Sequence, residues 1–407
     1  MIDVLVIGGG ISGFYCALEC LKRNKTVVLC EKYKNVGGRI DTYNENGYKW
    51  ESGAGRISEK HTMVLDLMKK YKQPIASISK DVVYKKDGTS CIEPNLFEPN
   101  IKVFFEPLKR LPKEVLANST LKDLCVKVHG EVSTKNFLDR FPYRAETEVL
   151  RADLGLESFA HEMGSHEGYF VALNGLHSLI EAMEKEFIKK GGKLLTNYEL
   201  VNINNNLECT FSTGNRKQTK RPTEILQATK IICAMDSESL KKIPYFKKFN
   251  TLKYLRMEPL LRTYAVYDKP WFSSLPRLVS SSEVRYFLPI NYEKGIAMVS
   301  YTDSRDTLKF HSIQKKYGDE SLGKHIQNKL KELFGAIPNY KFFKAHYWKY
   351  GATYWLPGNY NPSEESKNSL KPFDSEIYVT SESFSLKQAW MEGSLEQCKK
   401  LFDTYNF

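Results

Sequence analysis

The stretch Val4-Leu5-Val6-Ile7-Gly8-Gly9-Gly10-Ile11-Ser12-Gly13 decides the fold. An apolar run leads straight into Gly8-x-Gly10-x-x-Gly13, which predicts a strand, a tight turn and the start of a helix. In a dinucleotide-binding fold the three glycines have separate tasks: Gly8 makes the turn, Gly10 lets backbone approach a pyrophosphate, and Gly13 lets the helix pack on the strand. The opening N–H groups of that helix, at Ile11, Ser12 and Gly13, then face the phosphates. Val27-Val28-Leu29-Cys30-Glu31 reads as a second strand ending in a carboxylate, and Glu31 is placed to take both ribose hydroxyls. A glycine triplet alone also occurs in ordinary loops. Strand, helix and terminal acid together point to a nucleotide.

At 407 residues the chain exceeds one compact core and suits two interleaved domains. It is 42% hydrophobic and 27% charged with a mean hydropathy of -0.44, the balance of a soluble globular protein. No apolar run approaches a bilayer span. The first apolar run is already used as a strand, with no basic segment ahead of it, so no secretory leader is expected. Eight scattered cysteines lack CxxC pairs and zinc spacings, which suits a reducing, cytoplasmic setting, and Cys16, Cys20 and Cys30 read as core. The segment from His161 to His166 looks like a zinc-protease motif only superficially, because its histidines are five apart and do not share a helical face. No metal is expected. A net charge of +12, from 60 basic and 48 acidic residues, would attract an anionic partner. The basic residues are spread along the chain, however, so nucleic-acid binding is not expected as the main function.

Beyond Glu31 lies Val36-Gly37-Gly38-Arg39, whose guanidinium can hold a phosphate through two parallel hydrogen bonds or simply be solvated on a turn. Small residues at Gly53, Ala54 and Gly55, just before Arg56, would let backbone lie against a flat ring. A helix is expected from about Thr62 to Tyr71. From Gln73 to Met163 the prolines at 74, 94, 99, 107 and 112 mark turns, followed by helical segments near Ser119, Ser133 and Glu146. A turn and amphipathic helix over 170–183 leads to short strands at 193–196 and 200–203, and 229–234 reads as an apolar strand. Strands at 260–267, 285–288 and 296–301 and a helix over 321–334 suggest an antiparallel sheet backed by helices. The end of the chain, from Ile377 to Cys398, reads as strand, loop and terminal helix, leaving no tail for a membrane anchor.

In order and spacing, the glycine triplet, Glu31, the Gly37-Gly38-Arg39 doublet and Glu51-x-Gly53-x-x-Arg56 resemble the flavin-dependent amine oxidase superfamily, which includes monoamine, polyamine and L-amino-acid oxidases. The segment through Glu382, Ala389, Trp390 and Met391 resembles the C-terminal flavin motif of the same family. The resemblance implies an α/β protein in which a Rossmann-like FAD-binding domain with a parallel sheet (1–72, 166–245 and 372–407) is interleaved with a substrate domain of mixed or antiparallel sheet plus helices (73–165 and 246–371). It implies FAD, contacted by Gly8, Gly10, Ile11, Ser12, Gly13, Glu31, Gly38, Arg39, Ala54, Gly55, Arg56, Glu382, Ala389, Trp390 and Met391, with a backbone contact to the adenine at Val201. Where the family usually has glycine, this chain has Ser381 and Ala389, each adding a side chain near the cofactor. The helix starting near Met391 would point its positive end at the side of the flavin where reduction places negative charge.

For the substrate, the family places an aromatic wall at Trp390. The segment Lys344 to Gly358 resembles the opposite wall. In the register set by Pro357-Gly358, Tyr350 stands where monoamine oxidases carry the cysteine that bonds flavin, and Gly351 where they carry a second aromatic; Tyr354 lies in the same segment. Non-covalent FAD and a roomier or differently built cage are the expectations. Arg56 falls in a stretch like that with which L-amino-acid oxidases hold a substrate carboxylate; service to the FAD phosphates or to a local acid is the equal alternative. On the strand Leu261-Arg262-Thr263 many members have a lysine that holds a water beneath the flavin N5, and Arg262 keeps that charge without readily losing a proton. The function implied is FAD-dependent oxidation of a small-molecule amine or amino acid, with imine hydrolysis and transfer of electrons to O2 to give H2O2. A desaturase or dehydrogenase acting on another substrate, and a catalytically impaired flavoprotein scaffold, are the alternatives.

Overall fold

A computed structural model describes residues 2–79, 81–163 and 168–407, without the side chains of 161–163, so the segment from His161 to His166 lies outside the described side chains. The chain divides into two compact units, Met1–Ile78 with Tyr169–Met257 and Tyr360–Phe407, and Ser79–Gly168 with Glu258–Asn359.

In the first unit the strand Ile2–Ile7 lies between Val27–Glu31 and Thr223–Cys233, all parallel. Lys193–Thr196 continues the sheet beyond Val27–Glu31, and Ile377–Val379 pairs with the end of Thr223–Cys233, both in parallel. The first half of Thr223–Cys233 pairs instead with Glu208–Thr213, which pairs with Tyr198–Ile203, both antiparallel. Val4–Ile7 and Val27–Cys30 are buried along their length, as strands covered on both faces must be. The face that carries Val4, Val6, Val27 and Leu29 is covered by the helices Ile11–Lys22, His177–Lys189 and Met391–Thr404, which bring Phe14, Ala17, Leu179, Met183, Leu395 and Leu401 into one apolar core. Cys16, Cys20 and Cys30 are fully buried.

In the second unit Phe342–Trp355, Leu255–Val266, Ile296–Asp303, Tyr286–Asn291 and Arg277–Ser280 lie in that order, and Val82–Lys85 and Glu93–Pro94 complete a seven-stranded sheet. Leu261, Ala265, Phe287 and Val299 pack against Phe310, Leu322, Ile326 and Leu330 of the helix Ser304–Phe334. A separate helical cluster gathers Phe97, Phe105, Leu121, Leu124, Phe137, Phe141 and Phe159.

One helix lies outside the expectations and one expectation is corrected. Gly318 at φ +83° breaks Ser304–Phe334 into two helices, of which the second is the one expected over 321–334 and the first is not expected. Only Ser304, Thr307 and Phe310 are buried ahead of that break, too few apolar positions to show a helical period. Pro99, read as a turn marker, lies in the helix Phe97–Phe105. It sits in the first turn, where a missing N–H breaks no intrahelical bond. Among the described residues no helix is long and apolar enough to cross a membrane.

Candidate functional site

The glycine turn separates two kinds of requirement. A Cβ on Gly13 would lie 1.8 Å from the Gly8 carbonyl oxygen, so the helix packs on the turn only through a bare Cα. A Cβ on Gly8 would meet the Ala234 carbonyl at 2.3 Å. At Gly10 the nearest atom is the Gly37 carbonyl at 3.9 Å, and at Gly38 it is the Gly10 Cα at 3.7 Å. Gly8 and Gly13 are therefore demanded by the protein's own packing, whereas Gly10 and Gly38 front a cradle that side chains would fill. The two turns are tied together, with the Gly37 N–H donating to the Gly9 carbonyl at 2.8 Å. The helix opening at Ile11 has no side-chain cap and no acid in its first turn, which leaves its N-terminal end suited to an anion.

Glu31 is 6% exposed and accepts the N–H of Gly9 at 2.7 Å through Oε2 and that of Tyr33 at 2.9 Å through Oε1. Burial pushes its carboxyl up, against these donors. Each oxygen retains a second lone pair, which suits the carboxylate to ribose hydroxyls. Arg39 is held by Glu382, Nη1 to Oε2 at 2.8 Å, and Glu382 Oε1 accepts the Ala389 N–H at 2.6 Å. Burial favours the neutral guanidine, but the Glu382 charge prevails and raises the Arg39 pKa. Arg39 is thus an anchored cation and not a solvated turn residue. Ala54 donates to the Arg39 carbonyl at 2.9 Å, with Gly55 and Arg56 next in the same loop. Val201 falls where the register of its strand shifts between Leu200 and Asn202, outside the regular ladder.

The two departures from glycine differ in kind. Ala389 has φ +66°, a left-handed conformation that glycine adopts without strain and alanine does not. Ser381 is fully extended at φ -177°, and its Oγ accepts the Ser383 N–H within its own loop.

Trp390 precedes the helix Met391–Thr404. In that helix Glu392, 1% exposed, accepts the N–H groups of Met63 and Val64 at 2.9 and 3.0 Å and so caps the helix Thr62–Lys70. Burial pushes the Glu392 carboxyl up as well. Around Trp390 stand three side chains. The Arg56 guanidinium lies 6.0 Å from its ring and 5.0 Å from that of Tyr169. Tyr169 is nearly parallel to Trp390, at 6.1 Å and 10°. His61, buried, meets Trp390 edge-on at 4.8 Å and accepts the Ser58 N–H through Nδ1.

The remaining candidates lie in the second unit. Arg262 pairs with Tyr301 across adjacent strands, its guanidinium 4.6 Å from the Tyr301 ring, with Tyr143 edge-on to Tyr301 at 5.1 Å. Burial works against its charge, but the oxygens of Tyr301, Tyr264 and Tyr143 outweigh burial and hold the guanidinium protonated. A Cβ on Gly351 would come within 2.6 Å of Leu260 and 3.0 Å of the Glu258 carbonyl, so no side chain fits there without a shift. Tyr354 is buried. Sequence reasoning assigned no role to His61, Tyr169 or Glu392. A tyrosine heading a short strand and a glutamate within a helix carry no distinctive spacing, and only their contacts single them out.

The fold is shared with amine oxidases of known structure. Wild-type putrescine oxidase bound to putrescine superposes with a TM-score of 0.75 at 14% identity, covering 99% of this chain and 98% of that one. Cyclohexylamine oxidase from Brevibacterium oxydans gives 0.76 at 16% identity, with 99% and 98% covered. In sequence, an L-amino acid oxidase of Cerastes cerastes is 30% identical over 204 residues, 46% of this chain and 37% of that protein. A nicotine dehydrogenase of Pseudomonas putida is 30% identical over 112 residues, 26% and 23% of the two chains. The matched part of the chain thus spans well under half the length of these curated relatives. A model of the flavin-containing amine oxidoreductases matches residues 11–400. Matched over nearly its whole length, the chain belongs to the flavin-containing amine oxidoreductase family, with FAD as its cofactor.

Proposed function

We propose that the protein oxidises a small-molecule amine or amino acid with FAD held non-covalently and O2 as acceptor. The observation that carries this reading is the cradle at Gly10 and Gly38, open toward a helix end without a cap and beside the buried carboxylate of Glu31. Ile11, Ser12 and Gly13 would present N–H groups to the pyrophosphate, Glu31 would hold the ribose, and the Val201 backbone the adenine. Arg39 would add charge next to the phosphates, while Glu382 fixes both that guanidinium and the Ala389 turn. Ala54, Gly55 and Met391 would lie along the ring system. FAD, when bound, supplies the redox chemistry, taking a hydride equivalent from the carbon that bears nitrogen and delivering electrons to O2 as H2O2.

The chain's own residues bind and orient. Trp390 offers an aromatic face to an ammonium group, and Arg56 a fixed positive charge to a substrate carboxylate. Arg262 holds a permanent cation on its strand and, unlike a lysine, cannot alternate between proton donor and acceptor. With Tyr350 where monoamine oxidases carry a cysteine, no thiol is provided at that place for a bond to flavin. Eight free cysteines, seven of them buried, suit a reducing cytoplasm.

Anaerobic titration of the purified yellow protein with amines, polyamines and L-amino acids tests the proposal. Bleaching by one class supports it. A yellow protein that no compound bleaches would favour the impaired scaffold, and one that stays colourless after FAD is added would overturn the cofactor assignment. A second reading, a dehydrogenase that passes electrons to an acceptor other than O2, is favoured by the match to nicotine dehydrogenase. Bleaching without peroxide in air would select it.

A further inference from the structure

We propose that Glu392 is a positioning residue for the redox chemistry: its buried carboxylate opposes the positive ends of two helices toward the flavin and so holds the flavin's reduction potential down. The inference rests on the reading that sets FAD against the start of the helix Met391–Thr404, and not on which substrate is oxidised.

Two helix starts meet at this side chain. The terminal helix opens at Trp390 without a side-chain cap, and its residues Met391, Glu392, Gly393, Ser394 and Leu395 are all buried. Glu392 stands second in that turn, where an acid ordinarily answers the N–H groups of its own helix. Here the side chain reaches across to the helix Thr62–Lys70. Its Oε1 accepts the Met63 N–H at 2.9 Å and the Thr62 hydroxyl at 3.4 Å, and its Oε2 accepts the Val64 N–H at 3.0 Å. Both oxygens thus accept main-chain donors, the pattern of an ionised carboxylate. Burial pushes the carboxyl up while the same donors pull it down. One anion therefore stands at the positive ends of two helices: that of Thr62–Lys70, which it touches, and that of Met391–Thr404, which carries it.

The charge is fixed in place and little screened. A Cβ on Gly393 would lie 2.0 Å from the Lys387 carbonyl oxygen, so the preceding loop is pressed against the helix start without slack. Farther along the same helix, Cys398 Sγ donates to the Ser12 carbonyl at 3.6 Å, in the first turn of the helix that faces the phosphates. Met391 lies about 10 Å from Cys398 along the axis, so one rigid element joins the phosphate end of the cradle to the helix start. At 1% exposure the Glu392 carboxylate is shielded from water. Lys387 in the adjoining loop does not offset it, because that ammonium is paired with Glu396 at 2.5 Å. Negative charge placed on the flavin by reduction is favoured by the helix end and disfavoured by Glu392. Removing the carboxylate charge uncovers two positive ends at once and makes reduction easier. The anion thus trades electron uptake from the substrate for electron delivery to the acceptor.

The test measures the midpoint potential of the FAD-loaded protein at neutral pH, by anaerobic reduction with xanthine and xanthine oxidase against a reference dye. Glu392→Gln removes the charge and keeps the shape, whereas Glu392→Asp keeps the charge and shortens the reach to Met63 and Val64. Glu392→Gln is expected to favour the reduced form about tenfold, a rise of about 30 mV for a two-electron couple. Glu392→Asp is expected to stay within about twofold of the parent in the same constant. Both variants weaken the cap on the helix Thr62–Lys70, so a purely structural role would move them together. An unchanged potential in Glu392→Gln overturns the proposal, as does an equal rise in the two variants. If Glu392→Gln does not retain FAD, Glu392→Asp still decides: a potential near the parent's sustains the proposal and a tenfold rise overturns it. The expected rise in a protein that no amine or amino acid bleaches would sustain the tuning role while removing the oxidase reading. Bleaching by amines with a potential indifferent to residue 392 would do the reverse, and a protein that stays colourless after FAD is added would remove both.

Discussion

The two units keep buried charge in place by different means. In the first, Glu31 and Glu392 are each met by main-chain donors, Gly9 and Tyr33 for one, Met63 and Val64 for the other, and Glu382 by one main-chain donor, Ala389, beside its side-chain partner Arg39. In the second, side chains answer side chains. Arg144 lies 3.2 Å from Asp139 and 3.0 Å from Asp306, and the buried Arg285 lies 3.7 Å and 3.6 Å from the same two carboxylates. Main-chain donors come with a turn or a helix start, so the donors are set locally even where the carboxylate that meets them is distant, as Glu392 is from Met63 and Val64. A network joining residues 139, 144, 285 and 306 exists only once distant segments have packed.

The contrast can be broken most severely at Arg285, which also donates to the carbonyls of Ser280 and Phe141. Arg285→Met is expected to cost about 3–5 kcal/mol in urea unfolding, because it leaves the buried Asp139 and the half-buried Asp306 with fewer partners. A loss below about 1 kcal/mol would show that the network behaves like an exposed one. In the first unit the largest effect is expected at Gly13. Gly13→Ala forces a methyl to 1.8 Å from a carbonyl, a cost of about 3 kcal/mol, and lowers FAD retention through the distorted turn. Gly10→Ala is expected to leave the unfolding of FAD-free protein within about 0.5 kcal/mol of the parent and to weaken only the binding of FAD. Equal losses in the two variants would erase the distinction between a packing glycine and a cradle glycine.

Asp303 mixes the two styles, since it belongs to the second unit yet accepts the N–H groups of Arg144 and Ala145 at 2.7 and 2.9 Å. Burial is the largest influence and pushes its carboxyl from 3.8 up to about 6. The folded state therefore binds a proton before the unfolded state as pH falls, and this group adds stability between about pH 6 and pH 4, by at most about 1.4 kcal/mol per pH unit. Unfolding measured across that window should lose this contribution in Asp303→Asn; an unchanged slope would assign it to other carboxyls. The smallest effect is local. Ala389→Gly is expected to stabilise by about 1 kcal/mol by relieving a left-handed alanine, while Ser381→Gly destabilises by about 0.5–1 kcal/mol, as read from melting temperatures. Equal responses would mean that backbone conformation is not what separates the two positions.

What could be read in advance follows the same division. The strand-turn-helix at Gly8 to Gly13, the second strand ending at Glu31 and the helix after Trp390 are contiguous signals, and they sufficed to recognise the family. The helix after Gly318 was legible, the one before it was not because it buries too little to show a period, and Pro99 hid a helix that tolerates it in the first turn. The two departures from glycine looked alike as letters, and only backbone angles distinguish Ala389 from Ser381.

The amino-acid sequence by itself determined the α/β class, the family and the FAD cofactor, because the residues that announce them act through backbone geometry over a few neighbouring positions. The tertiary structure alone decided that Glu382 couples Arg39 to Ala389, that Gly351 has no room for a side chain, and that Arg56, His61, Tyr169 and Trp390 meet. The physical reason is that these contacts join side chains from strands, loops and helices far apart in the chain. Their distances depend on how those elements pack, which no spacing within the sequence records.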